Sequence, residues 1–318
     1  TAYEIVSRDW SSDVCSSDLR VQPEWWVLSG APRLQQWTDT VAMLRDHPWF
    51  GVGAGGYPWA QFTTETPWAG EVRMLPETHA HNFILHLLAE TGLVGAVVAL
   101  IALVPWLWRI CRTMLQPGDT AGPAWVLAVV GIELLHSLVE YPLWNVEFLG
   151  LAALAAGLGG EARVLSRAIT GIRLIACGGA LLGAALLGRT VYAFGFLERA
   201  WFGAALPEQV AEARKSLLRP YVDLGLAQQV PLTRADLSAK LVFNSRAVMT
   251  WPVAPVVMRQ IVLLAMAGRD EEANVYLHRL SRLNRAYLAD LRTMVEAVSL
   301  DDLPAASPLR LLVHVEST

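Results

Sequence analysis

Apolar positions along the chain gather into runs, and four of these runs approach the ~20 residues that cross a hydrocarbon core: Thr91 to Trp108, Ala121 to Leu138, Leu143 to Gly160 and Ile172 to about Phe196. Only "VEYPLW" separates the second from the third. Pro142 there breaks the helix and forces a tight turn, so the pair reads as a helical hairpin. Arg189, inside the fourth run, has to lie near a membrane face or snorkel to one. Outside the runs the period changes. In "PRLQQWTDTVAMLRDHP" Leu34, Trp37, Val41 and Leu44 recur at helical spacing until Pro48 ends the pattern. After Glu198, helical patterns alternate with breakers. The stretch "PVVMRQIVLLAMAGRDEEANVYLHRLSRLN" resembles one helix-turn-helix unit of tetratricopeptide type, turning at Ala267-Gly268-Arg269.

The pattern predicts an all-α integral membrane protein in parts: residues 1–20, which are unlike the rest; a loop over 21–90; spans over 91–197; and a soluble helical domain over 198–318. Composition agrees, since 54% hydrophobic residues, 17% charged residues and a mean hydropathy of +0.37 are too apolar for an ordinary soluble enzyme of 318 residues. The net charge is only −4, and the basic residues form no tract, which disfavours a nucleic-acid partner. Cys15, Cys111 and Cys177 show neither CxxC nor Cys/His spacing, so no disulfide framework or zinc site is expected. The chain opens at Thr1 without a Met or a signal sequence and reads as a fragment that is not expected to be active alone. The near-repeat in Arg8 to Arg20 (SSDV, then SSDL) resembles translated sequencing adapter and is set aside.

Orientation follows from the short connections. Arg109 and Arg112 lie between the first two spans and Arg163, Arg167 and Arg173 between the last two, whereas the intervening turn carries Glu140 and Glu147 and no base. The positive-inside rule then puts the Arg-bearing loops in the cytoplasm, and the loop before Thr91 and the tail outside. Trp106, Trp108, Trp125 and Trp144, at span ends, read as interfacial belt residues.

Gly51, Gly53 and Gly56 form a GxGxxG pattern, but it follows a Pro-broken helix and runs into Tyr57-Pro58, with no strand before it and no helix expected after it. It reads as a glycine-rich loop packing under Trp49 and Trp59, with an anion nest as the lesser reading. "THAHNFILHLLAETG" carries more chemistry. His79 and His81 alternate along an extended segment, Asn82 caps the helix starting at Phe83, and His86 and Glu90 share a helix face. Three readings stay open on spacing alone: interfacial polar contacts, a metal site of His79, His81 and His86, or an imidazole that takes a proton from a hydroxyl at the outer leaflet. Arg33, opening its helix on the same side, and Arg73, leading into the histidines, have the guanidinium fork that suits phosphate or pyrophosphate oxygens, although a lone arginine such as Arg33 reads equally as a solvated helix-end residue. Glu133, His136 and Glu140 fall on roughly one helical stripe, as a functional group or as inter-helix contacts.

Two motifs together carry a resemblance. "RLQQWTDTVAMLRDHPWFGVGAGGY" followed by "HAHNFILHLLAETGLVGAVVAL" is similar to the core of the O-antigen ligase and polymerase superfamily, and "HSLVEYPLWNVEFLGLAALAAGL" resembles the protein O-oligosaccharyltransferase branch. The resemblance implies a GT-C-like glycosyltransferase of the bacterial inner membrane, multi-pass, with its site and tail periplasmic. Such an enzyme moves a glycan from undecaprenyl pyrophosphate to an acceptor hydroxyl without a cofactor or metal. The acceptor it implies is a pilin-like protein or, in a ligase, the lipid A core. It implies His81, with His79 as rival, as the residue that deprotonates or orients the acceptor hydroxyl. Arg33 matches the arginine that holds the donor pyrophosphate, and Asn82 and Glu90 match positions taken to orient the site. Arg73 and Glu140 join them as candidate substrate-binding residues. Against this stand a polymerase that extends a lipid-linked glycan, a non-enzymatic scaffold that binds partners through its tail, and a transporter using Glu133, His136 and Glu140 as a proton relay.

Overall fold

A computed structural model describes residues 31–66, 76–118, 120–158, 169–202, 207–298, 302–304, 307 and 309–310. Residues 1–20, Arg73, Arg163 and Arg167 lie outside them. All regular structure among the described residues is helical. The loop holds α1 (Ala31–Asp46) and α2 (Tyr57–Thr63); the apolar region holds α3 (Phe83–Met114), α4 (Ala121–His136), α5 (Val146–Leu158) and α6 (Ile169–Trp201). The tail holds α7 (Pro207–Ala213), α8 (Arg219–Ala227), α9 (Leu237–Thr250), α10 (Ala254–Met266), α11 (Asp270–Leu283) and α12 (Tyr287–Glu296).

α3 starts at Asn82, whose side chain accepts the Leu85 N–H at 3.0 Å. Its helical path breaks at Gly92, which takes φ 63° and ψ −165°. A break removes ladder bonds, and in a membrane helix each freed group must find another partner. Here the preceding loop supplies them. Val52 and Gly53 donate to the Ala89 and Glu90 carbonyls at 2.8 and 3.0 Å, while Leu93 and Val94 donate to the Pro48 and Trp49 carbonyls at 2.8 and 3.1 Å. The two backbones lie so close that a Cβ on Gly51 would come within 2.4 Å of the Ala89 oxygen, and one on Gly92 within 2.4 Å of the Trp49 carbonyl. The glycine-rich loop is therefore an insert into a broken helix. Two sequence expectations are corrected: a helix, α2, does follow the loop, with Pro58 in its first turn where no N–H is needed. Trp49 is exposed, so it does not cover the loop.

Past the break, α3 is roughly 33 Å long, enough for a hydrocarbon core, and α3 and α6 are the two described helices long and apolar enough to cross a membrane. α4 and α5 are shorter, roughly 24 and 20 Å, and are joined through a 3₁₀ turn at Pro142–Trp144. Ile110, Val126, Val130 and Ala155 pack together where α3, α4 and α5 meet. Trp106 donates its indole N–H to the Ala156 carbonyl at 3.2 Å, so its polar end serves helix packing. Val97, Val98 and Ile101 on α3 and Leu181 and Leu182 on α6 are exposed. Water would penalise that surface and lipid does not, as expected of an all-α membrane protein.

α1 turns the soluble-protein rule inside out. Leu34 is 62% exposed and Val41 37%, whereas Gln35, Gln36, Asp39, Thr40 and Met43 are buried. Two of the inward polar residues are bonded across to neighbouring elements: the Thr40 hydroxyl bonds the Tyr57 hydroxyl at 2.9 Å, and Asp39 accepts from Thr66 and from Gln61. In the tail, α8 to α12 enclose a core that includes Leu224, Ile261, Leu264, Leu280 and Leu291. α10 and α11 turn at Gly268, with φ 71°. Arg189 pairs with Glu212 of α7 at 2.9 Å, giving the charge inside α6 a partner from the tail.

Candidate active site

The HxHN segment, the α4–α5 turn and α1 converge at one end of the helices. Phe83 N–H donates to the Ser137 carbonyl at 2.7 Å, and the Asn82 amide donates to the Leu138 carbonyl at 3.0 Å. Asn82 thus caps α3 and ties that cap to the chain leaving α4. The turn that follows delivers Glu140, whose carboxylate bridges two elements: Oε1 pairs with the Arg33 guanidinium of α1, and Oε2 lies 3.0 Å from Nδ1 of His81. His81 takes φ 48°, a backbone region uncommon for a residue with a Cβ and often retained at functional sites.

The rings around this bridge are closely packed. His79 stacks on Tyr141 with centroids 3.5 Å apart, and His81 meets both edge-on, at 4.7 Å from His79 and 4.9 Å from Tyr141. His86 is buried against Tyr57 and Trp144, with centroids at 5.0 and 4.6 Å. Trp144 therefore packs on the site as well as lying at a span end. A small cavity between α3 and the turn is lined by His79, His81, His86, Ser137, Glu140 and Trp144, among others.

The titration behaviour follows from this packing. Burial, then the neighbouring His81 charge, pushes His79 down to about 4. Burial also lowers His81, opposed by its hydrogen bond to Glu140 and by that carboxylate's charge. For Glu140, burial pushes the carboxyl up, but the His81 hydrogen bond and the Arg33 charge outweigh it and hold it below the ordinary carboxylate value. At neutral pH the arrangement is a carboxylate facing a neutral imidazole. With Nδ1–H donated to Glu140, the lone pair is left on Nε2, free to accept a proton.

Of the candidates named from sequence, Arg33, His81 and Glu140 form one connected group, with His79 and Asn82 against it. Glu90 lies elsewhere: its Oε1 accepts the Gly55 N–H at 2.8 Å and its Oε2 lies 3.6 Å from His86 Nε2, while the Val52, Gly53 and Gly56 N–H groups of the loop donate to backbone carbonyls. Arg73 lies outside the described residues. Glu133, His136 and Glu140 are not brought together: Glu133 is buried, His136 is exposed, and Glu140, one turn past the end of α4, pairs with Arg33 and His81. Among the described residues no group of three His, Cys, Asp or Glu side chains is placed to hold a metal ion. Tyr141 was not read as part of the site. Its signal lay in the same EYPLW turn, but nothing in the sequence pairs that ring with His79.

Residues 124–298, more than half of the chain, match the family described as virulence factor membrane-bound polymerase, C-terminal, and residues 26–100 match the family described as O-antigen ligase. The ligase match spans α1, the glycine loop and the HxHN segment; the polymerase match spans the EYPLW turn and the tail through α12. Neither the curated proteins nor the solved structures give a match. Two families thus meet in one helical membrane chain at the Arg33–Glu140–His81 junction, and the chain belongs to the O-antigen ligase and polymerase superfamily, whose members transfer glycans at membranes.

Proposed function

We propose that this protein is a periplasm-facing glycosyltransferase of the bacterial inner membrane, moving a glycan from undecaprenyl pyrophosphate to the hydroxyl of a Ser or Thr on a pilin-like protein. The observation that carries the reading is Glu140, which holds Arg33 and His81 on opposite oxygens of one carboxylate. His81 Nε2 takes the proton of the acceptor hydroxyl as its oxygen bonds to the anomeric carbon. The bond from that carbon to the pyrophosphate oxygen breaks with inversion, and the leaving group departs with both electrons. The developing charge on that leaving group needs stabilisation more than a proton, and Arg33, with guanidinium N–H groups beyond the one on Glu140, supplies it. Glu140 selects the His81 tautomer and stabilises the imidazolium that forms. His79, buried and stacked, supports the ring of His81.

The choice of a protein acceptor rests on the EYPLW turn and the helical tail. A second reading, extension of another lipid-linked glycan, is favoured by the polymerase description of the family matched over residues 124–298. The test is transfer in cells lacking their own enzyme, with pilin and lipopolysaccharide blotted side by side. Modified pilin supports the proposal. Modified lipopolysaccharide moves it to a ligase, and longer lipid-linked glycan with unmodified pilin moves it to a polymerase.

A further inference from the structure

The tail is wired into the loop that carries the histidines. Trp251, which ends α9, donates its indole N–H to the Pro76 carbonyl at 2.9 Å, and Arg282 of α11 donates to the Thr66 carbonyl at 3.1 Å. These partners lie 175 and 216 residues apart in the chain, so the bonds are made only once tail and loop are both folded. Between them, α2 plugs the tail: Phe62 is part of the tail's buried core, Trp59 and Phe62 pack on Tyr276, and the Arg279 guanidinium lies over the Phe62 ring at 5.9 Å. The connection continues toward the site. Glu77 N–H donates to the Gln61 side chain at 2.8 Å, Gln61 reaches Asp39 of α1, and Trp37 of α1 donates to the Ala80 carbonyl at 3.1 Å. Pro76 is three residues before His79, and Ala80 separates the two histidines.

We infer that the C-terminal helical domain is a positioning element of the active site, with Trp251 and Arg282 as the positioning residues that set where the HxHN segment enters. They touch no reacting atom and act through the Pro76 and Thr66 backbone. This rests on the reading of His81 as the base. A misplacement of the base by a fraction of an ångström to one ångström is felt in turnover while donor binding at Arg33 is left alone.

The test uses the intact protein in nanodiscs with a lipid-linked glycan donor. Trp251→Phe keeps an aromatic ring against the tail core but removes the N–H together with part of the indole; Arg282→Met removes the second donor, and Arg282→Lys restores one. Trp251→Phe and Arg282→Met are expected to lower kcat roughly tenfold with unchanged KM for the donor, and Arg282→Lys to recover part of the loss. Hydrogen exchange should rise in peptides covering residues 76–86 and stay unchanged across residues 254–283. Unchanged exchange at 76–86, or raised exchange with unchanged turnover, overturns the inference. Should a tryptophan variant unfold the tail, the Arg282 pair decides. His81→Ala, run alongside, reports on the base alone: transfer surviving that change removes the base assignment, whereas the exchange result stands without it.

Discussion

Replacing Glu140 by Gln keeps its shape and removes its charge, and this separates the two roles of the bridge. Glu140 accepts a bond from His81 Nδ1 at 3.0 Å and pairs with Arg33. A charge-assisted bond of this kind is worth about 1.5–3 kcal/mol. The Glu140 side chain is 35% exposed, so water screens part of that, leaving about 1–2 kcal/mol. If that stabilisation is realised as His81 becomes an imidazolium, Glu140→Gln lowers kcat roughly five- to thirtyfold. The pH dependence carries a definite sign. Glu140 raises the His81 value against the lowering effect of burial, so without the charge His81 stays neutral to still lower pH, and the acid limb of the rate profile moves down. Arg33 is released from its partner, so donor KM does not rise. The assay is turnover of a lipid-linked donor by purified protein from pH 4.5 to 8. An unchanged kcat, or an acid limb that moves to higher pH, would refute the role given to Glu140.

Other parts of the site give independent checks. His79 has a folded value of about 4 against an ordinary 6.5. The unfolded chain therefore binds this proton more readily, and the stability present above pH 6.5 is lost as pH falls from there towards 4, by about 2 kcal/mol at pH 5. Thermal unfolding in detergent should show that loss in the wild type and a shallower one in His79→Phe, and equal slopes would contradict it. Gly92→Ala forces a Cβ into the Trp49 carbonyl at a φ of 63°, and a loss above about 2 kcal/mol is expected in the same measurement. Asn82→Ala removes the helix cap and the bond to Leu138, costing about 1–2 kcal/mol and lowering turnover with it; full stability and activity would contradict the coupling of cap and site.

Much of this was readable from the chain, and the misreadings have physical causes. The Asn82 cap and the Pro142 turn are local, set by residue type and spacing, and the structure has both. α1 is a helix as its period predicts, but only part of the apolar stripe packs inward: Leu34 and Val41 stay exposed, Trp37 and Leu44 are half-buried, and Asp39 and Thr40 point inward to partners on neighbouring elements. The glycine pattern points to a tightly packed loop, expected under Trp49 and Trp59, and only the three-dimensional arrangement shows that what lies against it is a break in α3 some forty residues on. Helical period groups Glu140 with Glu133 and His136, but its carboxylate is drawn to Arg33 of α1 and His81 of the loop, partners that no period along α4 can show. The contacts of Trp251 and Arg282 with the loop were invisible for a simpler reason: no spacing rule links residues so far apart.

The most direct test of the base is transfer by purified His81→Gln beside His79→Gln, each with intact fold and unaltered donor binding. The geometry predicts that His81→Gln loses transfer by roughly a hundredfold or more, while His79→Gln keeps measurable turnover with a shifted pH profile. The opposite ranking, or transfer at the wild-type rate in His81→Gln, contradicts the assignment of His81 as the group that takes the acceptor's proton.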